Sequence, residues 1–147
     1  MWLVPDIVKS GADRFGDRLA VSDPRGQLTY QELETTTGRL ASLLLGLDIG
    51  QGERIVVVLP NSIQFVQAHF GALRAGAVSV PCDSAITKDN LRAICQSCQP
   101  RVLITDTATL TRFEYGPDEL LCDSQRSSSG PYSNRVKVAV SVIRTRG

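Results

Sequence analysis

The sequence predicts an α/β fold, a largely parallel sheet with helices on both of its faces. Between residues 28 and 106, strand-like segments alternate with segments of helical periodicity. Residues 54–59, Arg-Ile-Val-Val-Val-Leu, form a near-continuous aliphatic run, which is typical of a strand buried on both faces of a parallel sheet. Strands joined by single helices imply right-handed crossovers between parallel neighbours.

Composition agrees with one domain and disfavours two classes of partner. The 147 residues fit the soft expectation of about 150 residues per domain. Because 16 basic residues nearly balance 15 acidic ones, we expect no nucleic-acid or anionic-membrane surface. No apolar stretch approaches the roughly 20 residues of a membrane span, and residues 1–13 carry charges where a signal peptide would need an uninterrupted apolar segment. We therefore expect no membrane span and a cytoplasmic location.

The first element is a short helix that ends near Phe15. Pro5 is well placed in a first helical turn, where its missing N–H costs nothing. Apolar residues at helical spacing predict one buried face, made of Leu3, Ile7, Val8, Ala12 and Phe15. We expect this helix to pack and not to catalyse.

A hairpin and a longer helix follow. Residues 19–22 and 27–29 flank Asp-Pro-Arg-Gly at 23–26, which has the proline and glycine of a tight turn. Thr29 and Glu32 have the spacing of a capping box at a helix start. The apolar stripe of this helix is predicted to comprise Leu33, Leu40, Ala41, Leu44 and Leu47, before Gly50 and Gly52 end it.

Residues 54–59 are the best strand in the chain, and Asn61 is predicted to cap the next helix. That helix should bury Ile63, Val66, Phe70 and Leu73 and stop at Gly76. Residues 77–80 then form a second short buried strand.

Thr87 is predicted to cap a further helix, which Pro100 closes before a strand at residues 101–105. The inward face of this helix is predicted to comprise Leu91, Ile94, Cys95 and Cys98.

Residues 107–147 divide into two segments, so we predict that the chain is organised as 1–106, 107–123 and 124–147. Residues 107–123 have helical character with a Gly-Pro break at 116–117. The last segment opens with a serine-rich linker at 124–133. Alternating valines within 135–147 predict a half-buried strand.

Three segments together resemble the adenylate-forming superfamily, the AMP-binding or acyl-CoA synthetase/ligase enzymes. They are LTYQELE at 28–34, GERIVVVLPNSIQFVQAHFGALRAGAVSVP at 52–81, and RVLITD at 101–106. The resemblance implies the N-terminal portion of an acyl-CoA synthetase-like fold. For a full-length parent it implies ATP-dependent acyl adenylation of a carboxylic acid, with ATP, Mg and coenzyme A as cofactors. It also implies fatty acid metabolism, with a peroxisomal location as the alternative to a cytoplasmic one.

The family performs its chemistry with a glycine-rich loop ending in Pro-Lys-Gly, an acidic nucleotide site and a C-terminal lysine, and none of these occurs in the 147 residues. We therefore assign no catalytic, cofactor-binding or metal-binding residue, and we expect this chain alone to be inactive. One hypothesis for the unmatched tail is a shifted reading frame, a retained intron or a misjoined gene model. An uninterrupted transcript that ends at Gly147 without downstream ligase motifs would rule it out.

The four cysteines, Cys82, Cys95, Cys98 and Cys122, could serve a zinc site, a redox pair or packing. Cys95 and Cys98 form one C-x-x-C, but a structural zinc site usually needs a second such pair or paired histidines. A redox pair is favoured at a helix N-terminus, and these two residues are predicted at a helix end. Packing residues are the preferred interpretation.

The glycine and serine patterns are also interpreted as structural features and not as ligand sites. The run Ser127, Ser128, Ser129 and Gly130 lacks a second glycine and a cation, so we interpret it as a flexible loop and not as a phosphate cradle. The glycines Gly46, Gly50 and Gly52 precede a strand, so they form a helix stop and not a dinucleotide fingerprint. Gly71 and Gly76 fall within and after a helix without the lysine of a triphosphate loop.

His69 is the only side chain that could act as a general base near neutral pH without perturbation. A catalytic role needs a nucleophile within hydrogen-bond reach, and we favour a structural histidine beside Phe65, Val66 and Phe70. Asn61 is interpreted as a cap.

Two rival functional classes remain open at this point. A small flavodoxin-like nucleotide-binding module would share the alternating pattern of strands and helices. A non-catalytic regulatory protein would associate with a full-length paralogue through sheet edges and exposed apolar surface.

Overall fold

A computed structural model describes residues 3–113 and the backbone of residues 137–140. The chain divides into two units, one formed by Met1–Glu53 and Asn61–Ser79 and the other by Arg54–Pro60 and Val80–Gly147. The elements in chain order are α1 Asp6–Phe15, β1 Leu19–Asp23, β2 Gly26–Thr29, α2 Tyr30–Gly46, β3 Arg54–Val58, α3 Ile63–Arg74, β4 Val78–Cys82, α4 Lys88–Cys98, β5 Val102–Thr105, α5 Thr107–Arg112 and β6 Lys137–Val140. Among the described residues, none of the helices combines the length and apolar character needed to cross a bilayer.

In the first unit, α1 begins after Pro5 and ends at Phe15, as predicted, but its buried face is narrower than predicted. Val8 and Ala12 are buried, whereas Leu3, Ile7 and Phe15 are exposed, so the prediction was wrong for these three. The helix meets α2 where the ring of Tyr30 lies against Gly11, at a place that a Cβ atom would fill. Gly11 therefore lets the Tyr30 ring approach the α1 backbone closely.

The predicted hairpin and capping box are confirmed. Strands β1 and β2 pair antiparallel around residues 23–26. The Thr29 N–H donates to Glu32 Oε2 at 2.8 Å, and the Glu32 N–H donates to Thr29 Oγ1 at 3.2 Å. These reciprocal bonds satisfy two backbone donors at the start of α2.

Helix α2 ends at Gly46, earlier than the predicted stop at Gly50 and Gly52. Asp48 takes a positive φ of 56°, which turns the chain after the helix. The buried residues of α2 are Leu33, Thr37, Ala41 and Leu44. Two members of the predicted stripe are not fully buried, because Leu40 is half-buried against Gly71 and Leu47 lies beyond the helix end.

Helix α3 packs on α2 through small residues. Its buried residues are Ile63, Gln67, Ala68, Gly71 and Ala72, whereas the predicted Val66, Phe70 and Leu73 are only half-buried. A Cβ on Gly71 would lie 2.6 Å from Leu40 Cδ2, so the two helices approach too closely for large side chains between them. The helix ends before Gly76, whose φ of 80° confirms the predicted stop.

Arg74 links the two helices by its guanidinium. It lies 2.5 Å from the Glu34 carboxylate and donates to the Glu34 carbonyl oxygen at 3.1 Å and to Thr37 Oγ1 at 3.3 Å. One cation at the end of α3 therefore fixes the middle of α2.

In the second unit, the four-stranded sheet has the order β4-β3-β5-β6. Strands β3 and β5 pair parallel with Ile55 opposite Val102, and β5 and β6 pair parallel with Val102 opposite Lys137. Residues 55–58 and 102–105 are buried, which confirms a parallel α/β sheet with both faces of its central strands covered. The prediction was wrong for β4, which is an edge strand and leaves Val78 47% exposed.

One face of this sheet carries an apolar cluster that includes α4. The cluster consists of Val56, Val58, Leu91, Cys95, Leu103 and Phe113, with Ile94 and Cys98 packed against it, so the predicted inward face of α4 is confirmed. Thr87 Oγ1 caps the helix by accepting from the Asn90 N–H at 3.3 Å, as predicted. At its other end, Arg54 Nε donates to the Cys98 carbonyl oxygen at 2.7 Å.

The segment after Asp106 forms α5 and, later, β6. Helix α5 confirms the helical character predicted from residue 107, and β6 confirms a strand at four of the residues within 135–147. The predicted break at 116–117 and the serine-rich linker at 124–133 lie outside the described residues.

Candidate functional site

The carboxyl edge of the parallel sheet is the place where a ligand site is expected on general grounds. From β3 the chain proceeds to β4 on one side of the sheet, and from β5 it proceeds to β6 on the other side. Open α/β sheets bind ligands outside the carboxyl ends of strands at such a switch point. The candidate site is therefore the edge where β3 and β5 end, at Leu59, Pro60 and Asp106.

The polar side chains at this edge serve the fold. Asp106 Oδ1 accepts from the Thr109 N–H at 2.7 Å and caps α5. Asp83 Oδ1, after β4, accepts from the Ala85 N–H at 2.8 Å. Thr105, at the end of β5, is 1% exposed, and its hydroxyl has no hydrogen-bond partner in the part of the chain that the structure describes.

Arg112, the last residue of α5, is a cation that also hydrogen-bonds to the backbone. Its Nη2 donates to the Ser84 carbonyl oxygen at 2.6 Å and to the Ile86 carbonyl oxygen at 3.2 Å. The guanidinium also lies 4.7 Å from the centre of the Phe113 ring. Arg112 thus ties α5 to the segment between β4 and α4.

The cysteines of the second unit fit the packing interpretation. Cys95 and Cys98 lie in the last turn of α4 at the apolar cluster, and Cys82 packs against the same cluster. Burial, and then the nearby Cys98, raise the pKa of the Cys82 thiol, which disfavours the thiolate that metal binding or nucleophilic attack requires. Among residues 3–113, no group of three or more His, Cys, Asp or Glu side chains could hold a metal ion. Cys122 lies outside the described residues.

His69 has a hydroxyl within hydrogen-bond reach, which sequence reasoning did not identify. Its Nδ1 lies 2.9 Å from Ser79 Oγ on β4. The imidazole stacks on Phe65 with ring centres 6.1 Å apart and meets the edge of Phe70 at 5.4 Å. Burial lowers the pKa of His69, so the ring is neutral near pH 7. Within residues 3–113 no carboxylate is hydrogen-bonded to His69, so His69 and Ser79 resemble a packed hydrogen-bonded pair more than a triad.

The glycines act on the backbone. Gly52 has a φ of 76°, and its N–H donates to the Gly76 carbonyl oxygen at 3.1 Å. Gly46 is the last residue of α2, and Gly71 allows the close approach of Leu40. These positions fit the helix-stop and packing interpretations. The run from Ser127 to Gly130 lies outside the described residues.

The start of α3 is capped differently from the prediction. Ser62, not Asn61, is the cap, and its Oγ accepts from the Phe65 N–H at 3.1 Å. A second acceptor comes from the hairpin, because Asp23 Oδ2 accepts from the Ile63 N–H at 3.0 Å. No sequence signal indicated this pairing across 40 residues.

Comparison with known proteins gives a consistent result. The family described as AMP-binding enzyme matches residues 8–141. A salicyl-AMP ligase / salicyl-S-ArCP synthetase of Mycobacterium tuberculosis is 43% identical over 81 residues, which cover 52% of this chain and 14% of that protein. A 4-hydroxybenzoate–CoA/benzoate–CoA ligase of Rhodopseudomonas palustris is 30% identical over 114 residues, which cover 78% of this chain and 21% of that protein.

Solved structures show the same fold. The crystal structure of VinN superimposes with a TM-score of 0.72 and 33% identity, covering 77% of this chain and 29% of that one. Klebsiella oxytoca NpsA in complex with 3-hydroxyanthranilyl-AMSN has a TM-score of 0.71 and 23% identity, covering 96% of this chain and 25% of that one. The chain spans about a fifth of the length of the Rhodopseudomonas ligase and less of the mycobacterial one.

Proposed function

Because the chain belongs to the AMP-binding enzyme family, we propose that it forms part of the scaffold of an AMP-forming carboxylic acid ligase. The observation that carries this proposal is the match of the family over residues 8–141, on a parallel sheet that superimposes on solved members. The rival interpretation as a flavodoxin-like module has no comparable support.

The parent reaction joins a carboxylate oxygen to the α-phosphorus of ATP and breaks the bond to the β-phosphate, which yields an acyl adenylate and pyrophosphate. ATP and Mg are the cofactors of this step, and the metal would neutralise charge on the phosphates. A thiol then accepts the acyl group, and coenzyme A is one such thiol. Two relatives are named as a salicyl-AMP ligase and a 4-hydroxybenzoate–CoA/benzoate–CoA ligase, so we propose a small aromatic acid as substrate in preference to a fatty acid.

The described residues contribute structure to this reaction. The carboxylates Asp83 and Asp106 and the guanidinium of Arg112 all bind local backbone groups. Transition-state stabilisation of phosphoryl chemistry needs cations and backbone donors arrayed around the phosphates. We propose that the 147-residue polypeptide, purified alone, gives no acid-dependent ATP–pyrophosphate exchange, and a clear exchange signal would overturn this.

A chimera tests the scaffold role directly. Residues 28–106 would replace the corresponding segment of the M. tuberculosis salicyl-AMP ligase, and salicylate-dependent ATP–pyrophosphate exchange would be measured. We expect the folded chimera to retain exchange within about tenfold of the parent, since a tenfold loss corresponds to only about 1.4 kcal/mol of transition-state stabilisation. A folded chimera with no exchange would refute the proposal.

Variants of the inserted segment separate packing from chemistry. Cys82→Ser and His69→Gln should leave exchange near the level of the chimera, because we propose no catalytic role for either side chain. Gly71→Leu should abolish exchange by forcing α2 and α3 apart, since even a Cβ there meets Leu40 at 2.6 Å.

A further inference from the structure

We propose that the hydrogen bond from the Ile63 N–H to Asp23 Oδ2, here called the latch, holds the β1–β2 hairpin against the first turn of α3. This role of Asp23 goes beyond the proposed scaffold function, because it assigns a task to one side chain. It rests on three hydrogen bonds made by the two oxygens of one carboxylate.

The two oxygens of Asp23 do different work. Oδ1 accepts from the N–H groups of Arg25 and Gly26 at 2.8 and 3.1 Å, which is the local bonding of a turn. Oδ2 accepts from the Ile63 N–H at 3.0 Å, on the first residue of α3. The turn alone would need only Oδ1, so the second oxygen serves the tertiary contact.

The end of α3 shows why an acceptor is needed there. The first N–H groups of a helix have no partner within the helix. Ser62 Oγ accepts from the N–H of Phe65, and Asp23 Oδ2 accepts from the N–H of Ile63. Ile63 is 5% exposed. Because its side chain is buried and its N–H is bonded to Asp23, burial of the side chain and formation of the hydrogen bond depend on the same placement of this residue.

Charge favours the same arrangement. A carboxylate at a helix N-terminus interacts well with the partial positive charge of the exposed N–H groups. The Ile63 N–H, followed by the Arg25 N–H, holds the pKa of Asp23 below its usual value, so the Asp23 carboxyl group carries its charge at neutral pH. The Asp23 carboxylate is thus the negatively charged group at the start of α3.

Asp23→Asn separates the latch from the turn. The Asn Oδ1 still accepts from Arg25 and Gly26, whereas its amide nitrogen stands where Oδ2 was and cannot accept from Ile63. In the full chain, backbone hydrogen exchange should quicken at Ile63 by at least about threefold while Arg25 and Gly26 keep their protection. Ser62→Ala is the matched control, because it removes the other cap and should expose the Phe65 amide instead.

A second measurement distinguishes the latch from general stability. The Ile63 amide proton resonance should titrate with the Asp23 carboxyl below pH 3.8 in the wild-type chain, and this titration should vanish in Asp23→Asn. Two results would overturn the proposal: wild-type exchange at Ile63 in Asp23→Asn, or an equal rise in exchange throughout α1, α2 and α3.

Discussion

Two buried threonines offer a matched test of how hydrogen bonding sets the stability of this chain. Thr37 on α2 and Thr105 on β5 are 0% and 1% exposed. The Thr37 hydroxyl donates to the Leu33 carbonyl oxygen at 2.7 Å and accepts from Arg74 at 3.3 Å. The Thr105 hydroxyl has no partner among the described residues. Replacing each by valine exchanges a hydroxyl for a methyl group of similar size.

The two substitutions should change stability in opposite directions. Thr37→Val removes the hydrogen bonds of the hydroxyl to the Leu33 carbonyl oxygen and to Arg74 Nη1, which should cost about 1 to 2 kcal/mol. Arg74 Nη1 keeps the carbonyl oxygen and the carboxylate of Glu34 in this variant. Thr105→Val removes a buried hydroxyl that has lost its hydration, so it should stabilise the folded chain by about 1 kcal/mol. This value is near the low end of the measured cost of burying an unpaired polar group. The expected gap between the variants is about 2 to 3 kcal/mol.

Urea denaturation followed by far-UV circular dichroism measures this gap, with equal m-values required for the comparison. Hydrogen exchange at the amides of α2 and β5 would show whether each change acts locally. If Thr105→Val destabilised the chain as much as Thr37→Val does, the reasoning that separates satisfied from unsatisfied hydroxyls would be refuted.

Two further predictions use other matched features. Gly71→Ala should destabilise by about 1 to 3 kcal/mol because its Cβ overlaps Leu40, whereas Gly46→Ala, with open space around it, should stabilise by about 0.5 to 1 kcal/mol; thermal unfolding of both variants decides. His69 has a lowered pKa in the folded state, so the folded chain binds fewer protons than the unfolded chain as pH falls below 6.5. The contribution of His69 to the free energy of unfolding should therefore be fully present above pH 6.5 and be lost as the pH falls below it, and His69→Gln should remove this decline; an unchanged slope below pH 6.5 in the variant would contradict the assignment.

The elements themselves were predictable from sequence because their signals are local. The capping box of Thr29 and Glu32 and the turn at residues 23–26 depend on neighbours a few residues apart. The aliphatic run at 54–59 reports burial on both faces without any knowledge of its partners. Each of these patterns depends on interactions between residues close in sequence, so these elements could be predicted without tertiary information.

The errors arose where tertiary packing chooses among residues that are locally equivalent. Asn61 and Ser62 are both good caps, and Ser62 is the one with an extended backbone, φ −162° and ψ 166°, whose side chain accepts from the Phe65 N–H. Ile7 and Phe15 of α1 were predicted to share a buried face with Val8 and Ala12, yet only Val8 and Ala12 are buried. Periodicity identifies an apolar stripe but not how much of it a neighbour will cover.

The sequence predicted the strand ends at Leu59, Pro60 and Asp106 that form the candidate site, but it did not predict which polar side chains are paired. The same limit applies to charged side chains elsewhere in the fold. Asp23 contacts Ile63 across 40 residues, and Arg74 contacts Glu34 across the same separation. Both side chains would pass as solvated surface charges in a linear pattern, and both in fact fix where a helix lies. A polar group that serves the fold is not available to a ligand in the same geometry, so the hydrogen-bond partners of each charge decide whether it is a site residue. By that criterion Asp23, Arg74 and Arg112 hold a scaffold in place, and the chimera tests whether the scaffold is the one that adenylate-forming enzymes use.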